Sequence, residues 1–121
     1  MKKNIIFLLI YIAVYGCYWE NQEALYPVDQ FCDTAFVSFS GDILPILTNN
    51  CFSCHSNSNA PENAFGITLE DHVDVSASAI LIIGAINHLE GFPQMPKNGV
   101  KLDTCKIKVF EAWENQGSLD N

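Results

Sequence analysis

Residues 49–58, "NNCFSCHSNS", place Cys51, Cys54 and His55 close together in the chain. On a helical turn, positions three and four apart share one face, so two thiols and an imidazole would point the same way. Groups of these types can bind a metal, exchange a disulfide, or attach a porphyrin whose iron the imidazole then binds. The rest of the sequence decides among these chemistries.

The spacing Cys-x-x-Cys-His is that of c-type haem attachment. In this chemistry the thiols of Cys51 and Cys54 add across the two vinyl groups of one porphyrin and form thioethers. The adjacent imidazole of His55 then binds the iron. The motif therefore predicts one covalently bound haem c as cofactor.

The motif has three other interpretations. A structural zinc site needs four ligands, and the spare candidates show no paired spacing: Cys32, Cys105, His72 and His88. A thiol oxidoreductase would need a thioredoxin-like alternation of strands and helices, which the sequence does not predict. A plain disulfide between Cys51 and Cys54 is the third alternative.

If the protein fills both axial positions of the iron, a second side chain must bind it besides His55. Met95, in "GFPQMPKNGVKL", is the one methionine after residue 1. Proline and glycine around it predict a loop, which can bring a thioether over a porphyrin without burying unpaired amides. We therefore predict Met95 as the second axial ligand. His88 is the alternative ligand, and it would lower the reduction potential relative to methionine. If it is not a ligand, His88 is expected to be a polar residue at a helix end. His72 is expected on an exposed, acidic helix face.

The elements that must position these residues are predicted to be helical. Apolar residues recur at helical spacing in four stretches, "SGDILPILTNN", "TLEDHVDVSA", "SAILIIGAINHL" and "LDTCKIKVFEAWENQG". The predicted starts are Ser40 or Asp42, Thr68, and Asp103 or Thr104, and the last helix is predicted to stop at Gly117. "TAFVSFS", residues 34–40, is predicted to be extended. The fold class is thus all-α, with a haem domain over residues 32–117 and a tail over 118–121.

The predicted core combines apolar residues from all of these stretches. Its members are Ile43, Ile46, Leu47, Phe65, Leu69, Leu81, Ile82, Ile86, Leu102, Phe110 and Trp113. A covalently held porphyrin would add a large apolar surface to a domain that is otherwise small.

The N-terminus has the features of an export signal. Lys2 and Lys3 precede an apolar run from Ile5 to Tyr15, which is too short to span a bilayer, since a span needs about 20 residues. "AVYGC" then predicts a lipoprotein-type signal over residues 1–16, lipidation of Cys17, and a tether over 17–31. Ordinary cleavage nearby, an uncleaved anchor, or a buried N-terminal helix are the alternatives.

The charge of the chain restricts its partners. The 121 residues, a length typical of one domain, carry 14 acidic and 6 basic side chains, a net charge of −8, and none of the basic residues is arginine. Nucleic acid is therefore not an expected partner, because phosphate binding needs clustered basic residues.

Taken together, residues 38–117 resemble a small c-type cytochrome domain of bacterial lipoproteins. The resemblance rests on "DILPIL" leading into "NNCFSCHS", on "INHLEGFPQMPKNGVKLD", and on a closing helix with a tryptophan. It implies an all-α cytochrome c fold, haem attachment at Cys51 and Cys54, and iron ligation by His55 and Met95. The lack of arginine departs from many cytochromes, in which arginine helps to hold a haem propionate, so the propionate partners stay open.

Two cysteines are left once the haem and the lipid are assigned. Exported compartments favour disulfides, so Cys32 and Cys105 are predicted to pair. The alternative is two buried free thiols.

The predicted function follows from an iron with both axial positions filled. Such a haem has no open site for a substrate and suits electron transfer rather than catalysis. We expect an exported carrier, lipid-anchored on the periplasmic or envelope side of a bacterial membrane, with redox proteins as partners. The alternatives are a haem sensor or peroxidase-like protein with an open distal site, and a haem subunit of a larger respiratory or oxidoreductase complex.

Overall fold

The computed structural model describes residues 32–97 and 99–121. The predicted signal over residues 1–16, the lipidation of Cys17 and the tether over 17–31 lie outside the described residues.

The described part of the chain is helical and contains no strand, which confirms the predicted all-α class. A π-helix, Phe39–Ile43, leads directly into the first of the α-helices. In chain order these are α1 Leu44–Asn50, α2 Phe52–His55, α3 Ala60–Asn63, α4 His72–Ala77, α5 Ala79–Ile86 and α6 Thr104–Asn115. The π-helix contacts α1 and α6, and α5 packs against α6.

The first helical segment starts earlier than predicted. Ser38, and not Ser40 or Asp42, is its cap: the Ser38 hydroxyl accepts a hydrogen bond from the Gly41 amide at 2.9 Å. The Asp42 carboxylate accepts one in return from the Ser38 amide at 2.8 Å. This reciprocal pair satisfies backbone donors at the helix start, and it draws the end of the predicted extended segment, Phe39 and Ser40, into the π-helix.

The predicted start of α4 at Thr68 is also wrong. The helix begins at His72, after Asp71, and the Thr68 hydroxyl donates to the Asp74 carboxylate at 2.5 Å. Thr68 therefore contacts a side chain of the helix rather than capping its backbone. The start of α6 agrees with prediction, because the Asp103 carboxylate accepts from the Lys106 amide at 3.0 Å.

Most of the predicted core is buried. Fully or nearly enclosed are Ile43, Leu47, Leu69, Ile82, Ile86, Leu102, Phe110 and Trp113, and Ile46 packs half-buried against them. Phe65 and Leu81 were wrongly placed in the core, since they are 95% and 62% exposed. Phe65 lies in a turn after α3 with a φ of 54°, and Leu81 lies outside the arc of α5 that carries Ala79, Ile82 and Ile86.

His72 does not lie on an exposed face as expected. Its ring is half-buried and meets the rings of Phe39 and Trp113 edge-on, at centroid distances of 5.0 and 5.9 Å. Its Nε2 lies 2.7 Å from the Ser118 carbonyl oxygen, and the Trp113 Nε1 donates to the Leu119 carbonyl at 3.0 Å. These bonds join residues 118 and 119 to α4 and α6, which sequence periodicity does not reveal.

The sulfurs of Cys32 and Cys105 lie at disulfide distance, with their Cα atoms 5.4 Å apart. This is the predicted pairing, and the Cα separation falls in the usual range for a disulfide. The bond ties the first described residue to the first turn of α6. No helix among the described residues is long and apolar enough to cross a membrane.

Candidate functional site

The Cys-x-x-Cys-His motif occupies a single helical turn at the end of α1. The Cys51 amide donates to the Leu47 carbonyl at 2.7 Å, which joins the motif to α1. The amides of Cys54 and His55 both donate to the Cys51 carbonyl, at 3.1 and 2.9 Å. The turn that the spacing predicts is therefore present.

The two thiols of the motif are free. Cys51 is half-buried and packs against the core, whereas Cys54 is exposed. They are not joined to each other, which disfavours the alternative of a structural disulfide. Burial raises the pKa of the Cys51 thiol to about 11. A catalytic oxidoreductase cysteine instead has a lowered pKa, because the thiolate is the nucleophile.

His55 is oriented by a backbone carbonyl. Its Nδ1 lies 3.0 Å from the Ile67 oxygen, and the Leu69 amide donates to the His55 carbonyl at 2.9 Å. Since a carbonyl can only accept, Nδ1 carries the proton, and Nε2 is left with the lone pair. Metal-binding histidines are commonly held in this way, with one ring nitrogen bonded to a carbonyl and the other on the metal.

Apolar side chains lie beside the segment that orients His55. Ile67 is 52% exposed, and Phe65 precedes it by two residues. An open surface pocket of about 240 Å³ adjoins this segment, lined by Gly66, Ile67, Thr68, Asp74, Ala77 and Ser78. Phe65 and Ile67 are thus large exposed apolar groups in the segment whose carbonyl bonds His55, and exposed apolar groups of this size can mark a binding surface.

Met95 lies in a loop, as predicted, and the loop is fastened to the end of α5. Met95 is half-buried, its amide donates to the Ala85 carbonyl at 3.1 Å, and the Met95–Pro96 peptide bond is cis. His88 lies beside it, with Nε2 3.0 Å from the Met95 carbonyl oxygen. The structure thus brings Met95 and His88 together, and it ties His55 to the 67–69 segment.

The spare candidates for zinc are all engaged elsewhere. Cys32 and Cys105 are bonded to each other, and the Nε2 atoms of His72 and His88 each face a backbone carbonyl. Within residues 32–97 and 99–121, no three His, Cys, Asp or Glu side chains cluster as a metal site would require. Cys51, Cys54 and His55 share one helical turn, but their side chains do not form such a cluster either.

Sequence reasoning missed the Ile67 carbonyl as the partner of His55 and the Met95 carbonyl as the partner of His88. Every residue carries a carbonyl, so no residue type marks such a partner in advance.

Comparison of the chain with protein-family models, with curated proteins and with solved structures found no match.

Proposed function

We propose that this protein transfers electrons through one haem c, attached at Cys51 and Cys54, with His55 and Met95 as the iron ligands. The observation that carries the proposal is the Cys-x-x-Cys-His turn, in which both thiols are free and the Ile67 carbonyl holds His55 Nδ1. The spacing matches the attachment chemistry, and the hydrogen bond leaves the Nε2 lone pair for a metal.

The residues of the site have separate roles in this proposal. Cys51, half-buried on the core, and Cys54, exposed, would anchor the porphyrin through its vinyl groups. His55 would donate its Nε2 lone pair, and the bond to Ile67 would fix the orientation of its ring. Met95 would supply a thioether from a loop that is tied to α5. The bound haem would supply an iron that changes between two oxidation states.

The residue types of the motif and the apolar residues near it support a haem as the cofactor. The apolar side chains of Phe65 and Ile67, exposed in the polypeptide, would pack on a porphyrin held by His55. Burying such groups stabilises a domain by about 25 cal/mol for each Å² of apolar surface covered. A cytochrome c-like arrangement of the helices is part of this proposal.

Export and lipid anchoring are also part of the proposal. The Cys32–Cys105 pair supports export, because disulfides persist in oxidising compartments such as the periplasm. An anchor at Cys17 would hold the haem domain near a membrane and near membrane-bound redox partners. The surplus of acidic side chains makes nucleic acid an unsuitable partner.

Spectra of protein made in a host with haem-attachment machinery test the function. We expect a low-spin haem in both oxidation states and slow binding of added cyanide or carbon monoxide, because both axial positions are filled. Met95→Ala should bind these ligands quickly and lose the weak near-infrared sulfur-to-iron band of the oxidised state.

The same experiment separates the alternatives. A wild-type haem that binds carbon monoxide as fast as Met95→Ala would indicate a sensor or peroxidase-like protein with an open site. If His88→Ala, and not Met95→Ala, abolishes the low-spin spectrum, His88 is the ligand.

A further inference from the structure

The loop that carries Met95 is held at both polar atoms of the Met95 backbone. The amide donates to the Ala85 carbonyl of α5 at 3.1 Å, and the carbonyl faces the Nε2 of His88 at 3.0 Å. A carbonyl oxygen accepts, so His88 donates through Nε2. The Met95 side chain takes no part in these two hydrogen bonds.

His88 can reach this carbonyl because of its position after α5. The helix ends at Ile86, and His88 adopts the left-handed conformation, with a φ of 56°. The amides of His88 and Leu89 then bond back to Ala85 and Gly84, at 3.2 and 3.0 Å, which closes the helix end. A residue that turns the chain and also bonds seven residues ahead fixes the relation between α5 and the Met95 loop.

A second contact fastens the same loop. The ring of Phe92 lies directly against Gly84 in α5, where a Cβ atom would collide with it. Directly after α5, Asn87 donates to the Glu111 carboxylate of α6 at 2.8 Å. This bond joins the end of α5, to which the Met95 loop is attached, to α6. The His88 bond is therefore one link in a chain of contacts from α6 to Met95.

We infer that His88 is a positioning residue for the Met95 ligand, and this inference rests on the proposed function. By bonding the Met95 backbone, His88 favours the loop position in which the thioether stays at the iron. Losing the bond raises the fraction of molecules with the loop open, and a competing ligand then binds more tightly in proportion to that fraction.

The test compares His88→Ala with His88→Gln in the haem-loaded protein, with imidazole as the competing ligand of the oxidised haem. A lost hydrogen bond should raise the apparent imidazole affinity of His88→Ala by about two- to tenfold. Glutamine has an N–H donor of similar reach, so His88→Gln should restore an affinity close to that of wild type. Both variants keep a Cβ at the same left-handed position, which cancels the backbone effect.

His72→Ala is the matched control. His72 is also half-buried, and its Nε2 also faces a backbone carbonyl, that of Ser118. Its contacts are with Phe39, Trp113 and Ser118, none of which belongs to the Met95 loop, so its loss should lower thermal stability without changing imidazole affinity or the sulfur-to-iron band.

Each of the following results would overturn the inference. Equal imidazole affinity in wild type and His88→Ala excludes a positioning role while the proposed function stands. Loss of the low-spin spectrum in His88→Ala, with Met95→Ala unchanged, makes His88 the ligand instead. A protein that acquires no haem overturns the proposed function and this inference with it. If His88→Ala does not fold, His88→Gln against His88→Leu makes the same comparison, and equal affinities there also refute the role.

Discussion

His55 illustrates what a sequence motif can and cannot specify at the scale of one residue. The spacing of Cys51, Cys54 and His55 predicts a shared helical turn, and the structure contains that turn. The carbonyl that selects the His55 tautomer, that of Ile67, lies 12 residues away in the chain and follows from the path of the backbone. Residue types therefore predict which side chains are candidate ligands, and the fold determines how those side chains are oriented.

The two thiols of the motif should react at different rates before haem is attached. Burial raises the pKa of Cys51 to about 11, so its thiolate is a minor species at pH 8. Cys54 is exposed and has no such burial. In polypeptide made without haem attachment, iodoacetamide at pH 8 should modify Cys54 first, as peptide mapping by mass spectrometry would measure.

The pH dependence has a definite sign. The reaction of Cys51 should accelerate about tenfold for each pH unit, up to a pH near 11, because a raised pKa extends the range over which thiolate forms. The single variants Cys51→Ser and Cys54→Ser identify the reacting thiol. Faster modification of Cys51 than of Cys54 at pH 8 would instead indicate an activated, oxidoreductase-like cysteine.

At the scale of elements, α6 has a start that the sequence specifies well. The Asp103 carboxylate accepts from the Lys106 amide, and this bond is the main cause that holds the Asp103 pKa below its usual range. Asp103→Ala should cost about 1 kcal/mol, as loss of a helix cap does. For a domain of this size, that lowers Tm by about 4–8 °C in thermal unfolding.

Asparagine at the same position separates the cap from the charge. Asp103→Asn should keep most of the stability, since asparagine caps as well as aspartate, and the exposed Lys106–Asp103 ion pair adds little. Because the folded pKa is depressed, the contribution of the carboxylate is complete above the unfolded pKa of about 3.9 and is lost as the pH falls through the folded value. A Tm deficit of Asp103→Ala equal to that of Asp120→Ala, a control outside the helices, would contradict the role of the cap.

Other element boundaries could not be predicted from periodicity. Ser38 and Asp42 satisfy each other one turn before the apolar pattern begins, so the helical segment starts earlier than the pattern does. Thr68 is a good cap by residue type, but its hydroxyl bonds the Asp74 side chain. Periodicity also assigns Leu81 to the core, although the buried arc of α5 leaves it out. Which face of a helix is buried depends on the elements that pack against it, and the apolar pattern of one helix carries no information about them.

At the scale of the whole molecule, the Cys32–Cys105 pair closes a sequence separation of 73 residues. By the chain-entropy model, a cross-link over such a loop stabilises the folded state by about 4 kcal/mol. The double variant Cys32→Ser with Cys105→Ser should lose about this amount in denaturant unfolding, and non-reducing peptide mapping of wild type should recover the joined peptides. An unchanged unfolding midpoint, or free thiols at both positions, would refute the stabilising disulfide.

The whole molecule also shows where sequence reasoning stops. The pairing of Cys32 with Cys105 was predictable, because only these two cysteines remained once the others had been given predicted roles. The burial of His72 between Phe39 and Trp113 was not, because it depends on how α4, α6 and residues 118 and 119 meet. Phe65 was assigned to the core by its residue type, but it is exposed in the polypeptide. In the proposed function it would pack on the porphyrin.

Covalent attachment of haem is the central claim, and the intact mass of the protein tests it most directly. Protein from a host with haem-attachment machinery, denatured before measurement, should exceed the mass of its polypeptide by one haem. The variant Cys51→Ser with Cys54→Ser should lack this gain, whereas Cys32→Ser with Cys105→Ser should keep it. A denatured wild-type protein with the mass of the polypeptide alone would contradict the account.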